Sequence, residues 1–208
     1  MNFKYKYWYF TKAFSKAECR KIIKNALSKK KNTGTTIGVG KKRLSKKQKE
    51  ILKESRDSNI VWLKDRWLIN RIVPYLKIAN KNCGWNFEID ALEDIQFTIY
   101  KKGQYYNYHK DCGIGPFNFP DNPAMHGKIR KLSVSICLSD PSDYQGGDFK
   151  MLIHDDKTPV KLNEIPVEEL KPMGSVIVFP SHEYHCVTPV TKGTRYSLVA
   201  WFLGKPFR

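Results

Sequence analysis

With 208 residues, 41% of them hydrophobic and 13% aromatic, the chain suits one domain with a sizeable core and is too apolar for wholesale disorder. No apolar run approaches the ~20 residues that span a bilayer, and the opening M-N-F-K-Y-K-Y-W lacks a signal-peptide stretch, so no membrane partner and a cytoplasmic, intracellular protein are expected. The formal charge of +17, from 37 Lys+Arg against 20 Asp+Glu, leaves two readings open: a solvated basic face, or an acidic partner such as RNA, a ribosomal assembly or an acidic polypeptide.

Ser15-x-x-Glu18 reads as a capping box that opens a helix to about Ser28, with Ala17, Ile22, Ile23, Ala26 and Leu27 near one face. The densest basic run follows, ten Lys or Arg from Lys29 to Lys53, although lysine outnumbers arginine 29 to 8 and arginine is the usual base-reading residue. Inside it, Thr33 to Gly40 reads as a loop or hairpin. A second helix, about Asp65 to Asn80, carries Leu68, Ile69, Ile72, Val73, Leu76 and Ala79, with Pro74 expected to kink or divide it. Short strands dominate from Phe87 onward. The class is therefore mainly β with N-terminal helices (α+β), a double-stranded β-helix or jelly roll. A single domain, 1–208, is expected, with residues 1–86 a mainly helical buttress and 87–208 the jelly-roll core.

Within that core, Leu132, Val134, Ile136 and Leu138 share one face of a strand, and Ser133, Ser135 and Cys137 the other. Small side chains there leave room for a small acid inside a barrel; an ordinary half-buried edge strand gives the same pattern. The Gly- and Pro-rich stretch between Asp111 and Lys128 reads as a lid or as a plain connection, with Phe117, Phe119 and His126 as candidate substrate contacts. The five cysteines (19, 83, 112, 137 and 186) form no C-x-x-C and point to reduced thiols. Alternation should turn Cys112 and Cys186 away from the histidines and aspartate beside them.

His109 and Asp111, set one residue apart, are followed by His185 and then Arg195. Two imidazoles and one carboxylate are the ligand set of the facial triad that holds ferrous iron and leaves three positions open, and an arginine nearby can hold an acid that chelates the metal. Bringing His109 against His185 takes about five intervening strands of ~5 residues each, for which there is room. His154 and Asp156 repeat the H-x-D spacing, but too few residues separate them from His185, and His154 is read as a surface-turn histidine. His182 rivals His185. The segment from His185 to Val190, the turn Thr191-Lys192-Gly193 and the segment from Thr194 to Leu203 read as a hairpin. If Val190 pairs with Thr194, then His185, Arg195 and Trp201 share a face and His182 points away; a slip of one residue reverses the choice.

The order Tyr100, His109-x-Asp111, the strand from Arg130 to Asp140, Gly146-Gly147 and the block F-P-S-x-x-Y-H-C-V-T-P-V-T-K-G-T-R-Y-S-L-V-A-W resembles the 2-oxoglutarate- and Fe(II)-dependent dioxygenases of the prolyl 4-hydroxylase class, above all the bacterial and phage PKHD-type hydroxylases. The likeness is strong over about residues 90 to 205 and looser through F-S-K-A-E-C near residue 14 and R-D-S-N-I-V-W-L from Arg56. It implies that His109, Asp111 and His185 bind iron, that Arg195 pairs with the far carboxylate of 2-oxoglutarate, and that Tyr100 touches that carboxylate. Trp201 is implied to line the site and steer substrate. Ser133 stands where relatives often carry a threonine that hydrogen-bonds the co-substrate. The implied activity consumes O2 and 2-oxoglutarate and hydroxylates an unactivated C–H bond, with a prolyl residue of a peptide or protein as the preferred substrate. Ascorbate would restore ferrous iron after uncoupled turnover, and a phage-encoded enzyme acting in a bacterial host is compatible.

Other classes stay open at this point. A 2-oxoglutarate-dependent nucleic-acid demethylase keeps the triad and adds a base-stacking pocket. A small-molecule or amino-acid hydroxylase needs only the same barrel. A zinc hydrolase also uses two His and one carboxylate but has no evident use for Arg195, and a non-catalytic binding module would have lost one of the four residues.

Overall fold

The computed structural model describes residues 4–34, 54–154 and 162–207. Most of the basic run, the stretch beyond Gly34, and the side chains of the His154 and Asp156 pair lie outside the described residues. In chain order the elements are β1 (Trp8–Phe10), α1 (Lys16–Leu27), β2 (Asn32–Thr33), β3 (Arg56–Asp57), β4 (Asn59–Leu63), α2 (Arg66–Asn82), β5 (Ala91–Leu92), β6 (Ile95–Lys101), β7 (Tyr105–His109), β8 (Ile129–Cys137), β9 (Tyr144–Gly146), β10 (Phe149–His154), β11 (Leu162–Pro166), β12 (Val176–Pro180), β13 (Tyr184–Val187) and β14 (Val190–Gly204).

The capping box at Ser15 forms as expected: its hydroxyl accepts from the Glu18 N–H at 3.2 Å, and the Glu18 carboxylate accepts from the Ser15 N–H at 2.7 Å. The buried stripe of α1 is Cys19, Ile22 and Ala26, an i, i+3, i+7 row that leaves Ala17 and Leu27 outside it. Pro74 does not divide α2, whose stripe Leu68, Ile72, Leu76 and Ala79 runs past it. Both Pro74 and Asn70 are exposed. The Asn70 carbonyl that loses its helical partner therefore turns to water, where a proline is least costly.

Two antiparallel sheets face each other as a jelly roll. The larger runs β1-β12-β8-β14-β6-β4-β2, with β5 and β9 also on β14, and the smaller runs β11-β10-β13-β7-β3. β8 lies between β12 and β14, not at an edge, and its two faces serve two cores. Leu132, Val134 and Ile136 join Ile22, Leu68 and Ile72 of the helices in one cluster, each such side chain contributing ~1.5–3 kcal/mol by burial. Cys137 belongs to a second cluster between the sheets, with Phe149, Met151 and Phe179. Among the described residues before Phe87, the aromatic and β-branched segments around Tyr9 and Val61 add β1 and β4 to the larger sheet beside the two helices.

The expected hairpin from His185 to Leu203 does not form. β13 pairs with β10 and β7, β14 pairs with β8 and β6, and Pro189, which has no N–H for a ladder, stands where the chain passes between sheets. Thr191 to Gly193 is strand instead, with Gly193 opposite Tyr144 of β9. A Cβ on Gly193 would lie 2.0 Å from the Asp143 carbonyl oxygen, and its φ is +73°, so this position takes only glycine. No helix among the described residues is long and apolar enough to cross a membrane.

Candidate metal centre and co-substrate cavity

His109 ends β7 and lies opposite His185 of β13; Asp111 follows two residues on. One ligand atom from each of the three lies within 4.8 Å of the others. His109 Nε2 is 3.5 Å from Asp111 Oδ1, and His185 Nε2 is 3.6 Å from Oδ2. Each imidazole turns its Nδ1 to the carbonyl two residues before it, Asn107 at 2.8 Å and Glu183 at 3.0 Å. A carbonyl only accepts, so Nδ1 carries the proton in both rings and both Nε2 lone pairs face the centre. Among the described residues five strands lie between β7 and β13, in line with the barrel argument.

Aromatic rings hold the imidazoles in place. Tyr106 stacks on His109 with centroids 3.5 Å apart, and the Arg56 guanidinium lies 4.5 Å from the Tyr106 centroid on its own account. Phe149 stacks on His185 at 5.3 Å and Phe179 meets it edge-on at 4.7 Å. Burial and neighbouring His109 push His185 down to about 4, so it is neutral near neutrality. Burial alone would raise the Asp111 carboxyl, but His185, His109 and Arg130 outweigh it and hold the group below the usual carboxylate range. Neutral nitrogens and an ionised carboxylate are the protonation states that ligation needs.

Beside the triad a narrow cavity between the sheets is lined by Tyr100, Ser135, Ser197, Val187, Phe149 and Arg195, among others. Arg195, only 2% exposed, is opposite Tyr100 in the β14–β6 ladder, with its guanidinium 5.7 Å from the Tyr100 ring. Its Nη1 is buried without a partner. Leaving such a donor unmade costs ~1–3 kcal/mol, a cost that an anion in the cavity removes. Burial keeps the Tyr100 phenol protonated and so a donor. The set fits a ferrous ion with a chelating dicarboxylate: three donors on one side of the metal, a cationic fork inside the cavity, and small serines between. Outward, a groove of ≈ 890 Å³ is lined by Trp62, Phe117, Phe119, Lys110 and Arg130, and Trp201 and Gln96 line both spaces. The Trp201 Nε1 is likewise buried without a partner.

His109, Asp111, His185, Arg195, Tyr100 and Trp201 thus converge on one cavity, although His185 and Arg195 reach it from opposite sheets. His182 lies outside both linings. Ser133 departs from expectation: its hydroxyl donates to Asp111 Oδ2 at 2.7 Å and it is not among the cavity-lining residues, a place taken by Ser135. Cys112 lines the outer groove and does not turn away, while Cys186 is buried beside Lys150 and Tyr108 and lines neither space. Phe117 and Phe119 line the groove; His126 does not.

Sequence reasoning missed Tyr106, Phe149 and the buried pair of Arg130 with Glu93, in which Nη2 meets Oε2 at 2.6 Å and the guanidinium lies 3.8 Å from the Trp201 ring centroid. For Tyr106 the reason is a bulge. Between His185 and Val187 the partner strand advances from His109 to Tyr106, three residues against two. The extra residue brings to one side two residues that alternation would set on opposite faces.

In the curated relatives, a PKHD-type hydroxylase of Pseudoalteromonas atlantica is 33% identical over 107 residues, 51% of this chain and 41% of that protein. PKHD-type hydroxylase YbiX of Escherichia coli is 32% identical over 105 residues, 50% of this chain and 40% of that protein. The matches therefore span about two fifths of those proteins. Among solved structures, the viral collagen prolyl hydroxylase of Paramecium bursaria Chlorella virus-1, a 2OG complex, superposes with a TM-score of 0.63 at 19% identity over 97% of both chains. A Pseudomonas putida prolyl-4-hydroxylase gives 0.60 at 19% identity, covering 98% of this chain and 95% of the other. A Trichoplax adhaerens prolyl hydroxylase, in complex with a hypoxia inducible factor peptide fragment, gives 0.59 at 15% identity, covering 96% and 84%. These structures share the fold. The family model of the 2OG-Fe(II) oxygenase superfamily matches residues 95–203, more than half of the sequence and the whole stretch that carries the triad and Arg195, and the chain belongs to that superfamily.

Proposed function

We propose that the protein is an Fe(II)- and 2-oxoglutarate-dependent dioxygenase that hydroxylates a prolyl residue of a peptide or protein. The observation that carries the reading is the unpartnered guanidinium nitrogen of Arg195, buried on the same cavity as the three metal donors. His109, Asp111 and His185 hold the ion. Arg195 takes the far carboxylate of 2-oxoglutarate, with the Tyr100 hydroxyl as a second donor. When bound, the ion couples oxidation of a C–H bond to conversion of 2-oxoglutarate and O2 into succinate and CO2.

The remaining work falls to this chain. Phe149, Phe179 and Val187 keep water from the inner cavity, which strengthens every charge interaction inside it. Trp201, held by the Arg130 guanidinium on its face, forms the wall between co-substrate and groove, so a residue entering the groove meets the metal side across its ring. The groove, open and lined by aromatic side chains, suits an extended peptide whose proline packs on them. A peptide in complex with the Trichoplax adhaerens neighbour and the prolyl hydroxylase names of the structural neighbours support that substrate class. The test is mass spectrometry of proline-containing peptides incubated with the enzyme. A gain of one oxygen on proline that depends on 2-oxoglutarate is expected; oxidation at other residues alone rejects the prolyl assignment.

A nucleic-acid substrate is the second reading, favoured by the +17 charge and the exposed Trp62 and Phe119 of the groove. It predicts loss of a methyl group or an oxidised base, and affinity that falls steeply with salt.

A further inference from the structure

We propose that Ser133 and Ser181 are positioning residues that hold Asp111 to ligation through one oxygen and so keep a third coordination position open on the metal. The inference rests on the triad being a metal site. Ser133 Oγ lies 2.7 Å from Asp111 Oδ2 and 2.9 Å from Ser181 Oγ. A carboxylate only accepts and a hydroxyl has one proton. The Ser133 proton therefore goes to Asp111, and the Ser181 proton goes to Ser133. This makes a two-hydroxyl relay pointed at Oδ2.

The relay is anchored where it matters. The Ser181 N–H donates to the Lys131 carbonyl at 2.9 Å, and its carbonyl accepts from the Cys112 N–H at 2.9 Å. One residue thus ties β8 to the backbone next to Asp111, and Arg130 Nη1 holds the Asp111 carbonyl at 3.2 Å. Both serines are fully buried, so water does not compete for the hydroxyls. A carboxylate oxygen that accepts a short charge-assisted hydrogen bond shares its electron density with the donor and is the weaker ligand of the pair. With Oδ2 engaged, Oδ1, 3.5 Å from His109 Nε2, is the stronger donor to the ion. On a six-coordinate ion, two imidazoles and one oxygen leave three positions. Ligation through both oxygens would leave two, enough for a chelating acid and nothing more.

The experiment is anaerobic titration of the full chain with Co(II), reading affinity and the visible spectrum, whose intensity reports coordination number, with and without 2-oxoglutarate. Ser133→Ala is expected to weaken Co(II) about tenfold or more and to give a spectrum of higher coordination that responds less to 2-oxoglutarate. Ser133→Thr restores both, and Ser181→Ala shifts the spectrum in the same direction by less. Melting of the metal-free proteins establishes that each variant is folded. Parental affinity and spectrum in the alanine variants overturn the proposal; if Ser133→Ala does not fold, a parental spectrum in Ser181→Ala overturns it alone. Absence of any His185-dependent Co(II) spectrum in the parent is a separate outcome that removes the metal reading itself.

Discussion

Replacing Arg195 by methionine should separate binding from stability, because this arginine is costly in the empty protein. Its guanidinium is 2% exposed, Nη1 has no partner, and its polar neighbour is the Tyr144 hydroxyl. Removing a desolvated, partly unsatisfied cation returns ~1–3 kcal/mol, offset in part by lost packing of the stem. A net gain of about 1 kcal/mol corresponds to a rise of about 2–4 °C in Tm for a domain of this size. Binding should move the other way. Truncating one partner of a buried charge pair costs ~2–5 kcal/mol, and a middle value of about 3 kcal/mol is a loss of roughly a hundredfold in 2-oxoglutarate affinity. The assay is anaerobic calorimetry of 2-oxoglutarate with the Mn(II)-loaded protein, together with melting of the metal-free form. Arg195→Lys, which keeps the charge and loses the fork, should fall between. If Arg195→Met melts ~8 °C lower and still binds 2-oxoglutarate within threefold of the parent, the arginine serves the fold and the anion argument is refuted.

Alanine at His109, Asp111 or His185 should each abolish anaerobic Fe(II) binding, read by metal content after desalting; parental stoichiometry in any one would remove that residue from the ligand set. Gly147→Ala should weaken 2-oxoglutarate about tenfold with metal affinity intact. Its Cβ would meet Arg195 Cδ and Val190 Cγ2 at 2.9 Å, with φ at +65°, so the arginine must shift by the few tenths of an ångström that bidentate pairing does not tolerate. Calorimetry checks this, and equal losses for metal and co-substrate would point to general unfolding instead. Thiol modification should be ordered by burial. Burial pushes Cys19 up to about 12 and Cys83 to about 11, so near pH 8 their reactive thiolates are scarce, while half-exposed Cys112 should react first. Peptide mapping after brief alkylation reads the order, and prompt labelling of Cys19 in folded protein would contradict it.

How much of this was legible in the sequence depends on how local each feature is. The capping box at Ser15 is four residues long and its partners are covalently near, so its reading survives folding unchanged. The two-faced character of Leu132 to Cys137 is equally local, and the helices on one side and the cavity on the other only supply the surroundings. His109 and Asp111 follow from the H-x-D spacing and the length of chain before His185, whereas the hairpin argument that set His185, Arg195 and Trp201 on one face was built on the wrong partner. Gly193 looked like a turn residue because a positive φ is needed there, and it is; the need comes from the Asp143 carbonyl packed against it in strand. Tyr106 shows the opposite failure. Period-two alternation alone would set it away from His109, and the one extra residue of β7 between the pairs His185–His109 and Val187–Tyr106 brings the two rings into contact. The Arg130 and Glu93 pair lies 37 residues apart in sequence and leaves no periodic trace.

The bulge in β7, the bare Nη1 of Arg195 and the bare Nε1 of Trp201 border one cavity, while the buried stripes of α1 and α2 and the face of β8 turned to them follow local periodicity. The division follows from what each layer does. Burying Leu132, Val134, Ile136, Ile22, Leu68 and Ile72 on the helical side provides a stable platform, at ~1.5–3 kcal/mol for each side chain. That surplus tolerates donors without acceptors on the other side. Satisfying Arg195 or Trp201 internally would stabilise the empty protein and take away the groups that an acid or a peptide would otherwise meet. A polar atom left bare in a dry cavity is thus a statement about the ligand, and its sign is readable: Arg195 asks for an anion, and three converging donors with an ionised Asp111 ask for a cation beside it.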